Sequence, residues 1–263
     1  MSELHKDFKL SFSGLAVENG EIDVNELAPA LLAFGDLIQI SNRAVNGESS
    51  KMTVKVKATS HGSFEVLLTV IQDTSFLIHI QELLDFAKNN KEGIESASNL
   101  VDLLFNTGKV VTGVAGAVTV TSIGLFKLLQ FLKGKNSDKI EHNDDKTVQF
   151  HVGDNVFITH HYVYQLATNP QVREASEKAI KPLKSEGIDN LSININDNTQ
   201  TLNIQKQDIQ YFTVPSNTQD EIVIDEIRKM TLSIISLTFK EENKWRFSNG
   251  EATFTAPIED IDF

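Results

Sequence analysis

The sequence predicts an α+β fold: an N-terminal α/β unit and a C-terminal α+β unit joined by helices, one of them glycine-containing, apolar and of membrane-spanning length. Three observations carry this reading. Apolar and polar residues alternate strictly over Phe8–Phe12, Lys51–Thr59 and Leu191–Ile195, the two-residue period of half-buried strands. Leu27, Leu31, Phe34, Leu37, Ile38 and Val45 recur at the spacing of one helix face. Val110–Phe126 holds no charged residue, and extension to Leu132 adds only Lys127.

Taken in order, the first strand, Phe8–Phe12, closes at Gly14. Asp23 is placed to accept the unsatisfied N–H groups of a helix running to about Val45 and ended by Asn46-Gly47, with Pro29 predicting a late start or a kink. Lys51–Thr59, the turn Ser60-His61-Gly62 and Phe64–Gln72 then make a hairpin, completing a unit over residues 1–75. Residues 76–135 read as a helical region, broken at Asn89-Asn90 and containing the apolar helix 110–132. The polar run 136–146 reads as a linker. Residues 147–263 form the C-terminal unit. It has short strands at Thr147–Val152 and Val156–Ile158, helices over Thr159–Ala167 and after Asn169-Pro170, and strands at Leu191–Ile195 and Leu202–Gln205. A closing meander covers Lys229–Phe239 and Lys244–Ala256, with Asn243 and Asn249-Gly250 as turns.

Composition narrows the chemistry. The absence of cysteine excludes disulfides, thiolate metal sites and cysteine nucleophiles and fits a reducing cytoplasm. The polar N-terminus carries no basic-then-apolar leader, so cytoplasmic synthesis is expected. A net charge of −12 disfavours diffuse nucleic-acid binding, which makes any cluster of positive charge stand out. No GxSxG, HExxH or GxGxxG occurs. Gly108-Lys109 approaches a phosphate loop, but Leu103 and Val110 stand where Gly and Ser or Thr are needed. The chain is therefore expected not to be an enzyme and to need no cofactor. His151, His160 and His161 lie near Asp154 in sequence, but neighbouring histidines on one element point in different directions, so no metal site is expected.

The positive cluster is Lys51-Met-Thr-Val-Lys-Val-Lys57. With a period of two, Lys51, Thr53, Lys55 and Lys57 share one strand face, and Arg43 lies just upstream. Such a stripe suits an anionic ligand: a nucleotide, an oligonucleotide or lipid headgroups. A solvated face, or lysines that protect an edge strand, is the alternative.

The apolar segment predicts membrane entry. As a helix, Val110–Leu132 measures about 34 Å against a hydrocarbon thickness of about 30 Å, and Lys127 lies near enough to one end for its ammonium to reach the interface. Thr112, Ala115, Thr119 and Ser122 form a small, mildly polar stripe and, with Gly116, a candidate packing and pore face; a pore requires a homo-oligomer. A cytoplasmic protein that associates with or inserts into the inner membrane is the expectation. The alternative is a soluble oligomeric ligand-binding or scaffold protein with this helix buried between subunits.

Several stretches resemble a group of bacterial proteins: Leu27-Ala-Pro-Ala-Leu-Leu-Ala-Phe-Gly-Asp36, the Val54–Gln72 hairpin, Leu128-Leu-Gln-Phe-Leu-Lys-Gly134, Asn169-Pro-Gln-Val-Arg-Glu174, Lys181-Pro-Leu183 and Gly187-Ile-Asp189. In layout the chain resembles the membrane-effector component of Hailong-type anti-phage defence. The resemblance implies an oligomeric ion channel held closed by a DNA oligomer that a partner nucleotidyltransferase makes. It carries no ligand residue across.

Overall fold

The protein is a mixed α+β chain with several sheets. The computed structural model describes residues 3–47, 52–57, 65–73, 80–89, 99–113, 116–195, 200–213, 233–236, 245–248 and 253–256. The chain forms two compact units, Met1–Asn217 and Thr218–Phe263.

The first unit opens with β1 (Glu3–Ser13) and α1 (Val24–Asn46). Asp23 caps α1 as its sequence position implies, its carboxylate accepting the Asn25 N–H at 2.8 Å. Gly47, at φ 82°, closes the other end by donating its N–H to the Arg43 carbonyl. Pro29 lies inside the helix rather than ahead of it. The hairpin β2 (Met52–Lys57) and β3 (Glu65–Asp73) follows, then α2 (Ile80–Asn89) and α3 (Leu100–Phe105).

The segment read as one membrane helix is three elements. β4 (Lys109–Thr112) and β5 (Val118–Thr121) form an antiparallel hairpin, and only Leu125–Leu132 is helical, as α4. Among the described residues no helix is long and apolar enough to cross a membrane. The cause is legible in the residue types. Val110, Val111 and Thr112, then Val118, Thr119, Val120 and Thr121, are β-branched and favour strands. Gly113 N–H donates to the Ala117 carbonyl at 2.7 Å across the hairpin. At Gly124 the backbone lies so close to the Asn106 carbonyl that a Cβ would stand 1.9 Å from its oxygen.

The chain continues through β6 (Lys139–His142), β7 (Thr147–Val152), β8 (Asn155–His160), α5 (His161–Thr168), α6 (Pro170–Ala179), β9 (Asn190–Ile195), β10 (Gln200–Gln205) and α7 (Ile209–Phe212). One sheet runs β10-β9-β1-β3-β2, antiparallel throughout. The other runs β4-β5-β8-β7-β6, with β5 and β8 parallel. Strands from residues 1–75 and from residues 190–205 thus share one sheet, and the stretch 136–146 read as a linker contains β6.

A single core joins the two sheets. Phe8, Leu10 and Phe12 point inward from β1, and α1 lays Phe34, Leu37 and Ile38 against that layer. All six residues of α3 are buried. Phe105 sits at the centre, its ring 5.4 Å from Phe8, 6.1 Å from Phe34 and 5.1 Å from Phe126; Phe126 lies 5.0 Å from Phe212. α4 turns Leu125, Phe126, Leu128 and Leu129 into this core, while Val110 and Val111 of β4 remain exposed.

The second unit carries an antiparallel meander, β11 (Ser233–Ser236), β12 (Trp245–Ser248) and β13 (Thr253–Ala256), within the range expected from sequence. Trp245 and Phe247, two residues apart on β12, stack with centroids 6.5 Å apart.

Two glycines separate the hairpin from a continuous helix. In a helix, Gly116→Ala and Gly124→Ala would each stabilise by about 1 kcal/mol. In the observed fold Gly124→Ala is expected to cost about 3 kcal/mol through backbone overlap, and Gly116→Ala, at φ 82° with open space, about 1 kcal/mol. Urea unfolding of both variants reads the sign. Phe105→Ala is expected to cost about 3–5 kcal/mol in the same assay, as a large truncation in a closed core.

Candidate functional site

The register confirms that Thr53, Lys55 and Lys57 share the solvent face of β2. Lys51 lies outside the described residues. Cross-strand pairing extends this face over the whole sheet. Lys55 stands beside Thr69 of β3 and then Asp7 of β1; Lys57 leads through Leu67 to Lys9, Asn194 and Thr201. The face is largely polar because its opposite side is the core.

Carboxylates temper its charge. Lys57 Nζ lies 2.6 Å from Asp7 Oδ2, and Lys9 Nζ lies 3.0 Å from Glu65. Partial burial pushes the Asp7 carboxyl up, but hydrogen bonds from Lys57 and Thr69, with the Lys57 charge, outweigh it and hold Asp7 below the usual carboxylate value. Lys55 is exposed and has no ion pair among the described residues. Arg43 does not extend the row, since α1 packs against the opposite, apolar side of β1.

The proposed pore face is dispersed. Thr112 ends β4 and is exposed, Gly116 lies in the hairpin connection, and Thr119 is on β5. Ser122 is fully buried, its hydroxyl donating to the Asn106 carbonyl at 2.9 Å while accepting the Gly124 N–H. Ala115 lies outside the described residues. No common stripe exists among those described.

A cleft of about 220 Å³ was not anticipated. α2 supplies Glu82, Asp85 and Phe86, the β6–β7 turn supplies Asp144, Asp145 and Lys146, and β8 ends on its floor with His160. Four carboxylates against one ammonium make it acidic. Lys146 occupies a left-handed turn position at φ 64°, and its Nζ reaches Glu82 Oε1 at 2.6 Å. Tyr162 donates its hydroxyl to the other Glu82 oxygen at 3.3 Å. Burial first, then the Glu82 charge, pushes the Tyr162 phenol well up, so it stays protonated and a donor. On the turn, the Thr147 hydroxyl at 2.6 Å and N–H at 3.1 Å hold the Asp145 carboxyl low.

The histidines contradict the expectation of divergence. His160 is the last residue of β8 and His161 the first of α5, so the chain changes direction between them. Their ring centroids are 4.4 Å apart, and each ring also packs on Tyr162, at 4.8 and 4.1 Å. His160 Nδ1 accepts the Tyr162 N–H at 3.4 Å as the N-cap of α5, and Phe86 meets its ring edge-on. One ligating atom each from Glu82, His160 and His161 lie within 4.8 Å of one another. His151 stands apart, its Nε2 3.3 Å from Glu141. The available signal was an adjacent histidine pair near the start of a predicted helix, just after a predicted strand. Glu82, 78 residues away, had none.

No protein-family model, curated protein or solved structure matches the chain.

The Glu82–Lys146 contact is half exposed and therefore weak. A double-mutant cycle with Glu82→Gln and Lys146→Met, read by urea unfolding, is expected to return a coupling of about 0.2–1 kcal/mol.

Proposed function

We propose that the protein is a non-enzymatic binding module that takes an anionic oligomer, a short oligonucleotide, along the β2 margin of the open sheet face. The observation that supports this is Lys55: an exposed ammonium without an ion pair among the described residues, beside Lys57, on an edge strand whose outer backbone groups no described strand covers. Lysines and backbone N–H groups together suit phosphate oxygens. The described rows of the face carry Thr, Lys, Asn, Ser, Gln and carboxylate side chains with Leu67, Ile71 and one imidazole, His5, but no Phe, Tyr or Trp on which bases could stack. Recognition would therefore rest on phosphates, be tolerant of base sequence and be sensitive to salt. The resemblance to Hailong-type effectors points to the same ligand class. The channel half of that resemblance is not carried forward, because the helix that motivated it is a hairpin and a short buried helix.

The test is titration of the full chain with fluorescein-labelled short single-stranded DNA at several salt concentrations. Lys55→Glu is expected to weaken binding at least tenfold and to flatten the log–log salt slope by about 0.7, the share of one phosphate contact on a single strand. Arg43→Glu, on the other side of β1, is expected to leave affinity unchanged. Equal affinity in parent and Lys55→Glu would assign the lysine to edge protection instead.

A further inference from the structure

We propose that Glu82, His160 and His161 form a binding site for a divalent first-row transition ion of the zinc class, and that Lys146 is the internal cation which the incoming ion displaces. This site is separate from the anion reading and does not depend on it.

The ligand set argues the class of ion. Two imidazoles and one carboxylate suit zinc, cobalt, nickel or copper, whereas calcium and magnesium favour all-oxygen shells. The separations are compatible. Bonds of about 2.0–2.1 Å to a shared tetrahedral ion bring ligating atoms to about 3.3 Å from one another. The present set lies within 4.8 Å, so small side-chain rotations close it. Three protein ligands leave a fourth position for water or a small anion, and two of them, Glu82 and His160, line the cleft.

The surroundings favour a cation. Asp85, Asp144 and Asp145 add negative charge around Glu82 without being needed as ligands. The Tyr162 hydroxyl on Glu82 Oε2 orients the carboxylate in the manner of an outer-shell partner and leaves Oε1 facing Lys146. Nothing prevents the ammonium from leaving: the Lys146 side chain is about half exposed, and its ion pair belongs to the weak surface class. A doubly charged ion bound by two further ligands gains more at Glu82 than the singly charged ammonium does. His160 needs one adjustment. Ligation through Nε2 places a proton on Nδ1, which then cannot accept the Tyr162 N–H; at 3.4 Å that cap is long, and little is lost with it.

The competing account is structural: an ion pair that pins α2 to the β6–β7 turn, a Tyr162 hydroxyl that pins it to α5, and a histidine cap at the start of α5. The two accounts differ over Lys146. In the structural account its removal only loosens α2. In the displacement account its removal improves metal binding.

The experiment uses untagged, metal-stripped full-length protein titrated with ZnCl2 by calorimetry, with Co2+ absorption as a second readout of imidazole and carboxylate coordination. One ion per chain is expected. His161→Ala and Glu82→Gln should each weaken binding at least tenfold, whereas uptake at scattered surface histidines would survive both. Lys146→Met should bind three- to tenfold more tightly than the parent. Urea unfolding and circular dichroism establish that each variant is folded; Glu82→Gln and Lys146→Met are part-exposed changes that should leave the fold intact, so the test does not hang on a histidine variant. Uptake that is absent, or equal in parent and Glu82→Gln, overturns the site. Tight uptake that Lys146→Met leaves unchanged or weakens overturns the displacement.

Discussion

The interior placement of α3 is the constraint on which the remainder of the Met1–Asn217 unit depends. Six residues, Leu100–Phe105, are wholly enclosed, and Phe105 touches rings from β1, α1 and α4 at once. A helix this short has little stability of its own, so it is held by packing rather than propensity. Its polar needs are met locally. Asn99 accepts the Asp102 N–H and donates to the Asp102 carboxylate at 2.8 Å, while Lys6 brings its ammonium to 4.0 Å. Without such partners a carboxylate at full burial would be untenable.

From α3 the chain passes directly into the segment that organises the second sheet. Asn106 is the joint: its side-chain oxygen accepts the Gly108 N–H, and its carbonyl accepts the Ser122 hydroxyl. These bonds clamp the two ends of the β4–β5 hairpin together and set the start of α4. A hydroxyl and two glycines that dilute the hydrophobicity of the run in sequence are thus the parts that let the chain reverse and pack closely.

The elements with strong local periodicity were legible in the sequence. β1, α1 with its Asp23 cap, the β2–β3 hairpin, β7, β9 and β10 fall where alternation and capping place them. The apolar run is not a membrane helix because hydrophobicity over a window does not separate a strand pair from a helix; β-branching and glycine spacing do, and here they outweigh length. The basic stripe was legible as a face but not in its charge, since Asp7 and Glu65 come from strands that only the register brings alongside. The acidic cleft was hidden for a similar reason. Glu82 is an unremarkable acid on an amphipathic helix until tertiary packing sets it against a histidine pair, and that pair converges only because an element boundary falls between its members.

The pairing of β9 with β1 has a consequence for biosynthesis. Sheet neighbours separated by about 180 residues cannot meet until most of the chain has left the ribosome. Through that interval β1 has only β3 beside it, and one edge of a strand bearing Phe8, Leu10 and Phe12 stays open to other polypeptides. Long-range closure of this kind slows folding and prolongs exposure to aggregation. Early elongation thus leaves a half-built sheet of the type that holdase chaperones shelter, and truncation before residue 190 would make that state permanent.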